Sequence, residues 1–272
     1  MDARLQRRVQ RYGWDKAAAY YETFWRRQLE PVQLHLMRSA AVQLSEQVLD
    51  IACGTGLITF PVAVAVGVNG SVLGVDLSEG MIDGARSIAA ERDASNVRFE
   101  RMDAEALAVE DGAFDLALCA LGLMYVPDPR RALGEMRRAV KRGGRVVASV
   151  WGGRAQCGWA EIFPIVDARV SSEVCPMFFQ LGNGDALRDE FIAAGFVDVT
   201  LDRLSAPLRY ANADDACGAA FNGGPVALAY SRFDDVVRDQ VREEYLASIE
   251  SFRDGVGYAI PGEFVVVRGA TA

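Results

Sequence analysis

Val48-Leu-Asp-Ile-Ala-Cys-Gly-Thr-Gly56 is the stretch that decides the fold. An apolar run ends in Asp50, two glycines follow, and an apolar segment from Leu57 to Val68 comes next, so a strand turns sharply into a helix with little side-chain bulk at the turn. Such a turn lets a ligand approach the backbone amides closely. It differs from a dinucleotide fingerprint: a third glycine is due near position 59, where Thr59 stands, and the phosphate loop G-x-x-x-x-G-K-S/T is also absent.

Downstream, residues 71–76, 97–102, 114–121 and 145–151 repeat the short apolar or β-branched pattern of residues 47–53 and read as strands. Helical stretches near 55–66, 79–93 and 129–140 lie between them. Strand and helix alternate, and fully apolar strands imply a parallel sheet covered on both faces, a Rossmann-like doubly wound α/β core. Beyond Trp151 the order predicts helices at 160–170 and 185–194, a strand at 197–204, a helical region at 212–253 broken at Asn222-Gly-Gly-Pro225, and a last strand at 264–268. Upstream, residues 2–16 are polar and arginine-rich, which reads as a solvated helix face, while Tyr20, Tyr21, Phe24, Trp25, Leu29 and Leu34 recur at helical spacing. The expected organisation is an N-terminal helical cap (1–45), the core (46–206), a helical insertion over the carboxyl ends of the strands (207–261) and the last core strand with its tail (262–272). Pro61 should bend the first core helix, and the apolar outer face around it leaves room for a covering element or a homodimer.

Two further acids sharpen the site. Asp76 closes the second strand twenty residues after Gly56, where a carboxylate can accept hydrogen bonds from both hydroxyls of a ribose. That position serves nicotinamide and sulfonium cofactors alike. Asp103, in Arg101-Met-Asp-Ala-Glu105, ends the third strand, where it suits an adenine amino group with the Ala104 amide beside it; a helix N-cap is the competing account. The net charge of −8 opposes a nucleic-acid surface. Five cysteines with no C-x-x-C pair read as reduced thiols in a cytoplasmic protein, and neither a signal peptide nor a membrane span is recognisable.

Taken together, Val48–Gly56, Gly74–Met81, Met102–Glu105, the segment from Phe114 to Pro129, and Lys-Arg-Gly-Gly-Arg-Val-Val-Ala-Ser-Val at 141–150 resemble the class I S-adenosylmethionine-dependent methyltransferases. The small-molecule branch that includes ubiquinone and menaquinone C-methyltransferases is the most similar group, and the resemblance runs in register over roughly residues 45–151. It implies a seven-stranded sheet with the last strand antiparallel, S-adenosylmethionine as cofactor and S-adenosylhomocysteine as product. By the same resemblance Asp50, Ala52, Cys53, Gly54 and Gly56 surround the methionine moiety and Asp76 binds the ribose. Leu77 and Met81 flank the adenine, Asp103 and Ala104 hold its edge, and the backbone from Cys119 to Leu121 faces the sulfonium. An aromatic residue ahead of the core closes over the cofactor in many relatives; Tyr20 and Trp25 fit that role, and core packing explains them equally well.

Methyl transfer needs positioning and exclusion of water more than acid-base chemistry. The single histidine, His35, lies among leucines and reads as structural. Where small-molecule relatives often carry a histidine after the fourth strand, this chain has Met124 and Tyr125, so Tyr125 is the candidate to orient an acceptor. Neither the Asn/Asp-Pro-Pro-Tyr/Phe segment nor the Pro-Cys nucleophile of nucleic-acid methyltransferases follows Phe114, and Cys175-Pro176 has the reverse order. Cys157, Cys175 and Cys217 read as scattered thiols, with no metal site expected. Phe178, Phe179, Phe221, Tyr230 and Phe233 are expected to line an apolar pocket, which predicts O- or C-methylation of a small apolar or aromatic metabolite. The alternatives are a non-catalytic S-adenosylmethionine-binding scaffold and a nicotinamide oxidoreductase; the latter lacks its third glycine and a Tyr-x-x-x-Lys pair.

Overall fold

Val48, Leu49 and Ile51 are fully buried, so the first core strand carries apolar side chains on both faces, as a strand between two helical layers requires. The computed structural model describes residues 3–171, 175 and 177–272; Pro176, half of the Cys-Pro pair, lies outside them. The strands are β1 (Gln47–Ile51), β2 (Ser71–Asp76), β3 (Val97–Arg101), β4 (Phe114–Ala120), β5 (Val140–Trp151), β6 (Val197–Ser205), β7 (Leu208–Tyr210), β8 (Arg253–Asp254), β9 (Gly257–Ile260) and β10 (Glu263–Ala270). Seven of them form one sheet in the order β3-β2-β1-β4-β5-β10-β6. β1 to β5 are parallel, and β10 runs antiparallel to both β5 and β6. These are the seven expected strands, with the last one reversed. The strand order changes direction between β1 and β4, which opens a crevice at their carboxyl ends.

The helices are α1 (Ala3–Ala40), α2 (Thr59–Val66), α3 (Glu79–Glu91), α4 (Pro129–Ala139), α5 (Ile162–Asp167), α6 (Ala186–Ala193), α7 (Ala213–Cys217), α8 (Ala227–Tyr230) and α9 (Asp235–Ser248). Local chemistry starts several of them. The Ser78 hydroxyl accepts the Met81 amide at α3, and Asp128 accepts the Arg131 amide at α4 with Pro129 in the first turn, where its missing N–H costs nothing. No helix among the described residues is long and apolar enough to cross a membrane.

Three expectations need correction. Residues 3–40 form one continuous helix, and its polar first half is not a solvated face, since Gln6, Gln10 and Gly13 are buried. Its second half buries Leu29, Val32, Leu36 and Ala40 against β5 and β10, whereas Tyr20 and Leu34, expected to pack inward, are about half exposed. α2 begins only at Thr59, so Pro61 falls in its first turn, where no intrahelical donor is required, and it does not bend a helix interior. The segment 207–261 is not wholly helical: it starts and ends in strands, and β7, β9 and β8 make a small antiparallel sheet around α7 to α9. Those strands are two to four residues long, too short for their alternation to stand out against the helical pattern beside them.

α1 is docked on this small sheet by one side chain. Gln28 is buried; its Nε2 donates to the Arg209 carbonyl at 2.6 Å and its Oε1 accepts the Arg209 amide at 2.7 Å, as a neighbouring strand would. Gln28→Ala leaves both backbone groups unpaired and is expected to cost about 1–3 kcal/mol. Urea unfolding measures this, and an unchanged midpoint would show that the edge of β7 needs no partner.

Candidate active site

The crevice at the ends of β1 and β4 is shaped by backbone that few residues adopt. Ala52 (φ 55°) and Leu121 (φ 58°) are both left-handed, a conformation that costs an L-residue about 1 kcal/mol or more and collects at ligand sites. Gly56 (φ 95°) could carry no side chain, because a Cβ there would stand 2.6 Å from the Phe60 ring. Gly122 is fixed by contact: a Cβ would meet that of Ala52 at 2.4 Å and the Cys119 sulfur at 2.7 Å. The two turns therefore interlock across the crevice.

Asp76, at the end of β2, flanks the first of these turns. Its Oδ2 accepts the Gly54 amide and its Oδ1 the Ser78 amide, both at 2.9 Å. Burial pushes its carboxyl up from the usual range, and these amides pull against that shift. Asp50, 1 % exposed, accepts the Thr59 hydroxyl on Oδ2 at 2.6 Å, while Oδ1 is buried without a partner. Burial raises its pKa to about 7. Tyr21 faces both acids; burial first, and then the carboxylates of Asp76, Glu22 and Asp50, hold its phenol neutral. Asp103 does not cap a helix. It closes a turn, accepting the Glu105 amide on Oδ1 at 2.9 Å and pairing through Oδ2 with Arg7 Nε at 3.0 Å. Glu105, 2 % exposed, also accepts from Arg7 Nε at 2.8 Å.

One cleft joins these groups. Of the residues singled out in the sequence, Ala52, Gly54, Asp76, Leu77 and Met81 line it, as do Asp103, Ala104, Leu121, Tyr125 and Trp25. Asp50 and Cys53 line a smaller hollow behind the glycine turn, shared with Tyr21, Ala52 and Leu121. Cys119 is buried in β4 beneath the crevice, and Gly56 lies within the turn. Tyr20 falls outside: its ring is 47 % exposed and stacks on Phe24, because helical geometry turns its neighbour Tyr21 towards the sheet instead. Phe178 lines the cleft, but Phe221, Tyr230 and Phe233 pack on one another next to α9, and Phe179 packs on Phe163.

A belt of aromatic rings lines the cleft beyond the acids. Tyr21 meets Trp14 (5.8 Å between ring centres), Trp14 meets Tyr125 (5.2 Å), and Tyr125 meets Phe178 (5.5 Å). The chain of rings continues to Trp159 (5.6 Å), Trp151 (4.8 Å) and Trp25 (6.1 Å). All four tryptophans of the chain are in this belt. Trp14, Trp151 and Trp159 were not singled out in the sequence. Trp14 could have been found from its helical spacing to Tyr21 and Trp25, whereas Trp151 and Trp159 carry no local signal. Two arginines read as a solvated face, Arg7 and Arg11, also line the cleft. Tyr125 is held neutral by burial, well above the usual phenol range. His35 is away from the cleft, 3.1 Å from Asp202. No group of three or more His, Cys, Asp or Glu able to hold a metal occurs among the described residues, and burial raises the thiols of Cys157 and Cys217 to about 11 and that of Cys175 to about 12.

A Rossmann-like sheet with a reversed seventh strand, an acid on each of the first two strands and a glycine turn between them define a nucleoside-binding α/β fold. A family model described as a methyltransferase domain matches residues 48–144. The chain is 31 % identical over 179 residues to a demethylmenaquinone methyltransferase of Shouchella clausii, an alignment covering 61 % of this chain and 76 % of that one. It is 33 % identical to the aklanonic acid methyltransferase DauC of a Streptomyces species over 49 % of this chain and 60 % of that one. In fold it is similar to the YcgJ protein of Bacillus subtilis, with a TM-score of 0.61, 18 % identity, and 89 % and 98 % of the two chains covered. The chain belongs to the class I S-adenosylmethionine-dependent methyltransferases, with S-adenosylmethionine as its cofactor.

Asp50 makes the stability of the fold depend on pH. A carboxyl with a pKa raised to about 7 binds its proton more tightly when folded, so the stability it confers is full below its unfolded pKa of about 4 and is lost as pH rises through 7. Asp50→Asn should therefore flatten the fall in stability between pH 5 and pH 8, read as urea midpoints across that range. A parallel fall in variant and wild type would exclude Asp50 as its source.

Proposed function

We propose that the protein transfers a methyl group to an oxygen or carbon of a flat, quinone-type or other aromatic metabolite. The observation that carries this reading is the belt of seven aromatic rings continuous with the Asp76 crevice: stacked and edge-on rings favour a flat apolar acceptor and exclude water from it. Two of the relatives above are named for acceptors of this kind, demethylmenaquinone and aklanonic acid.

The residues fit the cofactor. Asp76 is held with a lone pair free on each oxygen for a ribose, and the orphaned Oδ1 of Asp50 suits the ammonium of a methionine moiety seated against Ala52, Cys53, Gly54 and Gly56. Leu77 and Met81 flank the adenine, Asp103 and Ala104 meet its edge, and the backbone from Cys119 to Leu121 borders the reacting end. Tyr21 and Trp25, one helical turn apart, close over it. When bound, S-adenosylmethionine supplies an electrophilic methyl carbon whose bond to sulfur breaks as the acceptor bonds to it, leaving S-adenosylhomocysteine. Tyr125, neutral at physiological pH, donates a hydrogen bond that orients the acceptor and takes no proton from it. The N-terminal segment 1–45, which carries α1, and the segment 207–261 act as covers over the core 46–206 and its closing strand 262–272.

Asp76→Ala is expected to weaken S-adenosylhomocysteine about tenfold or more in calorimetry, since two charge-assisted bonds are lost. Labelled S-adenosylmethionine offered with a set of naphthoquinols and polycyclic phenols should label them; transfer to none of these, with label appearing on an aliphatic amine instead, would sink the aromatic reading.

The five free cysteines favour a reducing, cytoplasmic setting. Leu44, Val64 and Val68, 77 %, 83 % and 94 % exposed at the outer end of α2, favour a homodimer through that face. Sedimentation velocity should find a dimer that Val64→Asp dissociates; a wild-type monomer at high concentration would refute it.

A further inference from the structure

α1 turns Arg7, Arg11, Trp14 and Tyr21 onto the cleft from one helical face. Arg7 is neutralised there by Asp103 and Glu105. Arg11 is not: among the described residues it makes no ion pair, and its Nε is buried without a hydrogen-bond partner. The centre of the Tyr12 ring lies 5.5 Å from its guanidinium carbon. The acids of the cleft are already engaged, Asp76 by the Gly54 and Ser78 amides and Asp103 and Glu105 by Arg7. A cation lining an aromatic wall without a counter-charge is costly unless a ligand supplies one. The chain as a whole carries a charge of −8, which repels anions, so a local positive charge is what admits one.

We infer that the methyl acceptor is an aromatic carboxylate and that Arg11 is the residue that selects it. A guanidinium presents its two Nη groups as a planar fork matched to the two oxygens of a carboxylate, while Trp14, one turn along α1, and its neighbour Tyr125 offer rings beside it. Anchoring the carboxylate fixes how the rings lie in the belt, and hence which atom faces the cofactor. This inference rests on the aromatic-acceptor reading above and adds the charged group that the belt alone does not specify.

The test uses the full chain saturated with S-adenosylhomocysteine and follows quenching of the four cleft tryptophans by a hydroxynaphthoic acid and by its methyl ester. The acid should bind more tightly than the ester. Arg11→Gln should weaken the acid about tenfold or more and leave the ester and S-adenosylhomocysteine unchanged, with Arg11→Lys recovering part of the loss. An acid no tighter than its ester, or an equal loss for both in Arg11→Gln, overturns the role of Arg11. So does weakened S-adenosylhomocysteine binding, which would place Arg11 at the cofactor. If neither naphthalene binds the wild-type protein, the aromatic reading itself falls, and this inference with it.

Discussion

The carboxylate of Asp76 accepts backbone hydrogens from Gly54 and Ser78, and through them it joins the turn that leaves β1 to the turn that enters α3. Each turn alone is a short irregular segment with unsatisfied amides. Bridged by one acid, they become a rigid lip on the crevice, and the acid keeps lone pairs turned to a ligand. Burial works against its charge, and the amides offset that by stabilising the ionised form. The left-handed backbone at Ala52 and Leu121 is tolerated because the same lip, packed on Gly122, over-determines it.

α1 completes the site from outside the core. Arg7 pairs with Asp103 and Glu105 after β3, Asp15 accepts the Ser78 hydroxyl and the Gly80 amide after β2, and Glu22 accepts the Thr55 hydroxyl after β1. The order of these ties along the helix follows the order β3, β2, β1 across the sheet. A single helix therefore spans the strand ends, and its inner face provides one wall of the cleft. Its polar ties go to segments that border the cleft, so the placement of α1 and the shape of the cleft are one problem of packing.

The two halves of the cleft obey different physics. At the glycine turn, specificity comes from fixed dipoles and buried carboxylates, where a displacement of an ångström loses a hydrogen bond. In the belt from Trp14 to Trp25, rings provide area and shape with little direction, and Arg11 is the charged exception. A methyl donor of constant structure suits the first, and acceptors that differ among relatives suit the second. It is consistent with this division that the family match covers residues 48–144 and leaves out most of the belt.

The sequence by itself determined the strands, the glycine turn and the acids beside it, because these depend on short-range rules: β-branched runs, a glycine turn, and an acid at the end of each of the first three strands; the reversal of the last strand came from the family resemblance alone. Asp76, Gly54 and Asp103 were legible for that reason. Only the tertiary structure decided which face of α1 looks inward, and so replaced Tyr20 by Tyr21 and drew Arg7 and Arg11 out of a supposedly solvated face; a turn of about 100° per residue separates those outcomes, and nothing local to the helix favours one. It also decided that Trp14 shares a cavity with Trp151, Trp159 and Phe178, all more than a hundred positions further along the chain, while Phe221, Tyr230 and Phe233 pack elsewhere. Contacts between distant segments are set by how helices and sheet close on one another, and they leave no period or spacing in the sequence from which the acceptor side of the cleft can be read.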